Sequence, residues 1–391
     1  LTSGGPTSAL ADFESYRKLR ARSAEPAIFG YLHLRGLIQM IQQAAAESAA
    51  EQEPNPMGVT PDMVFRGLGL DALEATALSL DLAAEASQLD WGLLASDNRG
   101  LMKAIALLPP RETPPGFVPD SAVEAGIGYF SFQAFWAAAN EILEQVSPVL
   151  KAMVDAQIAQ FSAQLGVDLQ SALIGNLGEV IGSVGLLVPP ADAGRQPALE
   201  DLGEVTFIAV NDATEMQTAL DALINLFSQG EEPLFDLREH GGMTIHVLEQ
   251  PIPSGAMGES TTMSYAFAGG YLLFCQGRVE ALEKVIDSLA RPGRSIWERP
   301  DVRAALAQIP SGASAVQYED STALIGGLVE TLLQIQAMQE QDEEGDGISF
   351  VDPDARPDEA TLRRYFGAAV AGTYRTDNEL YMTWRLLHGG S

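Results

Sequence analysis

One phrase occurs twice in this chain. Gly30-Tyr31, followed by an apolar helical stretch and then Leu68-Gly69-Leu70-Asp71, returns as Gly128-Tyr129, a second apolar stretch and Leu165-Gly166-Val167-Asp168. Tyr31 and Tyr129 are 98 residues apart, and Gly69 and Gly166 are 97 apart. Two landmarks that share nearly one period mark an internal repeat of ordinary domain size, which dictates architecture before it says anything of chemistry. At 391 residues the chain is also longer than one growing core supports, so several packing units are expected.

The first unit, residues 26–115, opens with strand-like Ala27 to Leu34. Helically spaced Leu37, Ile38, Met40 and Ile41 follow, and the helix is expected to stop in the stretch from Gln42 to Pro56. Thr76 to Leu82 alternates with period two and reads as a half-buried strand; Leu89 to Ala95 reads as its neighbour. Ser96-Asp97 then precedes Leu101, Ala104, Ile105 and Leu108, predicting a capped helix that Pro109-Pro110 ends. The second unit, 125–300, repeats this order with a long helical region to about Leu165. Strands follow over Ile181 to Val188 and Val205 to Val210, and Asp212 precedes another helix as the counterpart of Asp97. An inserted strand, hairpin and helix extend it: Met243 to Leu248, Met263 to Phe267, Tyr271 to Cys275 and Val279 to Leu289. A third copy, 313–391, aligns Tyr318 with Tyr31 and Tyr129. It lacks Leu-Gly-x-Asp, carries an acidic loop at 339–358, and ends in two strands over Ala368 to Tyr374 and Leu380 to Leu386. Residues 1–25 form an N-terminal segment whose basic residues, Arg17 to Arg22, fringe a helix. The fold class is therefore α+β: repeated strand-helix-helix-strand-strand units whose antiparallel sheets are covered by helices, on one face.

Charge excludes some partners. With 23 basic and 53 acidic residues the net charge is −30, a field that repels nucleic acid and anionic headgroups. A single cysteine, Cys275, excludes an internal disulfide framework and a cysteine zinc site, and its apolar surroundings make it a small buried hydrophobe. No apolar stretch is long enough for a membrane-spanning helix, so contact with a membrane would come through an anchor outside this sequence or through a partner. The chain opens at Leu1, which suggests a processed or trimmed start.

Residues that carry chemistry are sparse. Asp342 to Gly347 places oxygen ligands and a glycine as a calcium loop does, but Pro353 stands where the bidentate glutamate belongs. His33, His240, His246 and His388 have no metal-ligand spacing. Around Ser183 the first glycine of an esterase elbow is replaced by Ile181, and neither Gly126-Ile127-Gly128 nor Gly67-Leu68-Gly69 completes a phosphate loop. The aspartates Asp71, Asp168, Asp97 and Asp212 recur at equivalent positions, which suits turns and caps better than a catalytic pair needing two different environments. No catalytic residue, metal or cofactor is expected. The one candidate surface is aromatic: Phe130, Phe132, Phe135 and Trp136 at a helix start, suited to core packing, a partner surface or an apolar pocket.

The repeat openings ending in Tyr, the Leu-Gly-x-Asp phrase, Val205 to Asp212, Tyr271 to Cys275 with Val279 to Leu282, and Val316 to Asp320 together resemble a bacterial family of uncharacterised extracytoplasmic proteins. That family is a domain of unknown function whose members carry signal peptides or single membrane anchors. The resemblance implies a periplasmic or surface location and no catalysis, and it transfers no site residue. The sequence therefore predicts a non-catalytic cell-envelope scaffold that binds other envelope proteins. Second to it stands a periplasmic carrier holding an apolar ligand between sheet and helices.

Overall fold

Alternation decides the strands. In Leu73–Leu82 (β2) the side chains of Ala75, Ala77 and Ser79 are buried and that of Leu78 is exposed, so the period-two pattern becomes one covered and one open face. A computed structural model describes residues 10–23, 25–50, 58–83, 85–110, 114–190, 197–228, 234–253, 260–341, 352 and 356–389. Most of the acidic loop, including its calcium-like motif, lies outside them, as does the end of the Gln42 to Pro56 stretch. After a short helix α1 (Glu14–Arg20), the first unit runs β1 (Ile28–His33), α2 (Leu34–Ala50), α3 (Pro61–Gly67), β2 and β3 (Ala86–Ala95), followed by α4 (Leu101–Ala104). The second runs β4 (Glu124–Tyr129), α5 (Phe132–Val146), α6 (Pro148–Leu165), β5 (Leu177–Leu187) and β6 (Leu202–Val210). Next come α7 (Ala213–Ser228), β7 (Asp236–His240), β8 (Met243–Pro253), β9 (Ser260–Ala268), β10 (Tyr271–Gly277), α8 (Val279–Ala290) and α9 (Pro300–Leu306). β11 (Ala315–Asp320), α10 (Ser321–Gln341), α11 (Glu359–Tyr365), β12 (Ala368–Thr376) and β13 (Glu379–Leu387) complete the chain.

The three tyrosines hold one place in three strand pairs: Tyr31 lies opposite Ala77, Tyr129 opposite Val180 and Tyr318 opposite Val370. The strands of all units join a single 13-stranded antiparallel sheet in the order β1-β2-β3-β13-β12-β11-β4-β5-β6-β10-β9-β8-β7. The strands from the chain's C-terminal part thus lie between the other two sets, an arrangement that chain order conceals.

One face of the sheet carries the core. Val184, Val205, Phe207, Leu273 and Ile245 meet Leu282, Val285 and Ile286 of α8, Val302 of α9 and the buried pair Phe117 and Val118. Each such side chain contributes about 1.5–3 kcal/mol on leaving water. A smaller cluster at the far end seats Leu19 of α1 on Ala75, Ala77 and Leu94. Gly92 makes that seat: a Cβ there would stand 2.7 Å from Leu19 Cδ2. Helices are not confined to this face. Phe132 at the start of α5 lies with Gly126 and Ser183, whose strand neighbours Ala125 and Val184 belong to the core, so α5 begins on the opposite face.

The repeated phrase is punctuation with partly different wiring. Gly69 and Gly166 both adopt left-handed backbone, at φ +68° and +67°, just beyond α3 and α6. Asp168 then accepts the backbone N–H groups of Gln170 and Ser171 at 3.1 and 3.2 Å, whereas Asp71 accepts the Arg99 guanidinium at 3.0 Å. Asp212 caps α7 by accepting the Glu215 N–H at 3.0 Å; its counterpart Asp97 pairs with Arg99 instead. The helix expected from Leu101 to Leu108 accordingly ends at Ala104. Leu107 bridges to Phe130 and the Leu108 N–H donates to the Tyr129 carbonyl at 2.8 Å, so tertiary pairing pulls the segment out of helix. The long helical region before Leu165 divides at Ser147-Pro148, where Ser147 accepts the Leu150 N–H and Pro148 has no N–H to donate.

Candidate functional site: a groove on the open face

On the face opposite the core, several positions of the central strands carry little bulk. Gly126 and Gly128 of β4, Ser183 of β5, Ala315 of β11 and Ala371 of β12 form a floor of small side chains. Ile181, Met382, Leu107, Phe130 and Phe132 rise around it. The resulting hollow has a volume of about 580 Å³ and a mainly apolar lining, within the range of ligand sites. It crosses from Thr206 on β6 to Met382 on β13, six neighbouring strands or roughly 24 Å at the usual strand spacing.

Register orders the floor into rows. Ile181, Gly128, Ala315, Thr373 and Met382 are successive cross-strand partners in the row nearest the aromatic rim. Two residues along, Thr206, Ser183, Gly126, Gln317 and Ala371 make a more polar row. The next row, Glu204, Gly185, Glu124 and Glu319, is acidic. Polarity therefore rises along the strands, away from Phe130 and Phe132.

Burial, then the charges of Glu319 and Glu204, hold the Glu124 carboxyl above the usual carboxylate range. The folded state keeps this proton to a higher pH than the unfolded chain does, so the ionised carboxylate lowers stability as pH rises through that window. Glu124→Gln removes the charge. Its melting temperature is expected to exceed that of the parent at neutral pH and to match it at acid pH, where the parent's Glu124 is protonated in folded and unfolded chain alike; calorimetry across pH checks the sign.

Of the four aromatic candidates, Phe130 and Phe132 line the groove, with ring centroids 5.0 Å apart at a steep angle. Phe135 is exposed, with its ring centroid 6.0 Å from that of Phe130. Trp136 is half-buried on α5, and its indole N–H has no partner among the described residues. Gly126 and Gly128, which complete no phosphate loop, serve as floor. The other floor residues come from strands far apart in the chain, and their one local signal is the small residue at alternate positions, as in Gly126-x-Gly128.

The remaining candidates sit elsewhere. Cys275 is fully buried, and burial pushes its thiol up to about 12, which disables it as a nucleophile at neutral pH. His240 hydrogen-bonds Asp287 at 3.1 Å and His388 meets Ser87 at 3.1 Å. His246 stacks on Tyr265 at 4.4 Å, and burial lowers its pKa. No group of three or more His, Cys, Asp and Glu side chains among the described residues is placed to hold a metal. No helix among them is long and apolar enough to cross a membrane.

No protein-family model matches the chain, and no curated protein sequence matches it significantly. A solved crystal structure of TP0453 aligns over 72% of this chain and 81% of that one, with 13% identity and a TM-score of 0.31. A likeness that distant has no bearing on function.

Proposed function

We propose that this chain is a non-catalytic binding protein that shelters the apolar chain of a lipid-like ligand in the open-face groove. The observation that carries this reading is the floor of Gly126, Gly128, Ser183, Ala315 and Ala371 lying in register beneath the Phe130 and Phe132 rim. A sheet face meant only for packing fills such positions with branched side chains; here their absence leaves a hollow about as long as a common acyl chain. The rise in polarity toward Glu124 orients an amphiphile, with its tail beneath the phenylalanines and its polar end toward the Thr206 to Gln317 row. This consideration puts the carrier ahead of the scaffold that the sequence placed first. The family resemblance supports an extracytoplasmic setting, with envelope proteins as donors or acceptors of the ligand.

Organic extraction of protein purified from its native source, followed by mass spectrometry, should recover a stoichiometric apolar molecule. The delipidated protein should then bind a fluorescent acyl probe that the extracted molecule displaces. A clean extract together with no saturable probe binding would remove the proposal.

A further inference from the structure

Where two units meet in the sheet, like strands meet. The first strand of the second unit, β4, pairs with the first strand of the third, β11; the third strand of the first unit, β3, pairs with the third strand of the third, β13. Both junctions are antiparallel, and each has a local two-fold axis. Ile127 pairs with Val316, each of them two residues before its unit's tyrosine, while Tyr318 lies opposite Ala125 and the Tyr129 N–H donates to the Ser314 carbonyl at 3.0 Å. At the other junction Asp90 pairs with Thr383, and these again are equivalent positions, reached through Phe29 and Ser79 in one unit and Val316 and Gly372 in the other.

Two strands fall outside this scheme. The third strand of the second unit, β6, is covered by the inserted β10, β9, β8 and β7. That insertion ends the sheet in β7, whose Asp236, Arg238, Glu239 and His240 discourage further pairing. The first strand of the first unit, β1, has no such cover: among the described residues it pairs with β2 alone. Its sequence, Ile28-Phe29-Gly30-Tyr31-Leu32-His33, contains no acidic residue, lysine or arginine, and Ile28 and Leu32 are 62% and 47% exposed.

We infer that β1 is the docking edge for a second copy of this chain, forming an antiparallel β1–β1 pair about a two-fold axis at Phe29, as β4 and β11 pair about Ile127 and Val316. The register follows from that equivalence. Ile28 of one protomer lies opposite Gly30 of its partner, and the outward N–H of Tyr31 corresponds to the N–H through which Tyr129 holds β11. The contact is isologous and closes after two copies, so the exposed edge is consumed without a fibre.

Light scattering over micromolar to sub-millimolar concentration should find a dimer. Ile28→Cys and Gly30→Cys chains, mixed under mild oxidation, should give a disulfide-linked dimer. Either chain alone should not, because its like thiols lie diagonally, with Cα atoms about 7–8 Å apart and beyond the reach of a bridge. A side chain fits at Gly30, where a Cβ meets only the Leu78 carbonyl at 3.8 Å, and Cys275 is buried and silent. The double variant Ile28→Lys, Leu32→Lys should be monomeric with unchanged circular dichroism. A parent chain that stays monomeric over this range, or a dimer whose cross-linking ignores the 28-to-30 pairing, would overturn the inference.

Discussion

An Ala371→Phe chain is expected to fold as the parent does and to lose its apolar ligand. Ala371 lies in the groove floor beside Gln317 of β11 in the sheet register, and its side chain is on the face opposite that of Val370, which belongs to the core. A phenyl ring there occupies volume that the ligand needs and displaces no core residue. Binding of an acyl probe should weaken at least tenfold, about 1.4 kcal/mol or more, while the melting temperature stays near the parent value. Ala371→Ser, which leaves the hollow open, is the control. Undiminished binding by Ala371→Phe at an unchanged stoichiometry would place the ligand elsewhere.

Gly182→Ala should be the most damaging small substitution in the sheet. Its Cβ would stand 2.2 Å from Phe207 Cζ and 2.3 Å from the Gly126 carbonyl oxygen, one a buried ring and the other backbone of the neighbouring strand. Phe207 has little room to yield, since it meets Phe117 at 5.1 Å and Tyr271 at 5.7 Å between ring centroids. Overpacking of this kind costs about 1–3 kcal/mol, and relief here requires β4 and β5 to part. Denaturant unfolding should show the loss. Phe207→Leu is harmful alone through the cavity it leaves, but the double variant should lose less than the two single losses combined, which a double-mutant cycle measures. Additivity would show that the clash is relieved elsewhere.

The parts of the fold legible in the sequence were those governed by near neighbours. The period-two pattern of Thr76 to Leu82 marks β2 because alternate side chains of a strand must face opposite ways. Gly69 and Gly166 are legible as helix ends because a left-handed residue after a helix favours glycine. Legibility fails where a distant partner intervenes. Asp97 and Asp212 occupy matching places, yet only Asp212 caps a helix, because Arg99 takes Asp97 and the chain after Ala104 is drawn to Tyr129 and Phe130. The candidate site divides in the same way. Phe130 and Phe132 stand out as aromatics beside a helix start, but nothing near Ala371 or Met382 in the chain says that they lie across a floor from Gly128.

The sequence alone therefore determined the recurring Gly-Tyr and Leu-Gly-x-Asp phrase, the α+β class, the strand-and-helix order along most of the chain and a net charge of −30, since all of these depend on composition and local periodicity. Tertiary structure decided the rest. The C-terminal strands β11, β12 and β13 lie between β3 and β4, and that placement brought Gly126, Gly128, Ala315 and Ala371 into one floor. It also left β1 at an edge with its outer hydrogen-bonding groups unpaired by the described strands, because chain order does not dictate strand order and β2 takes only one side of β1.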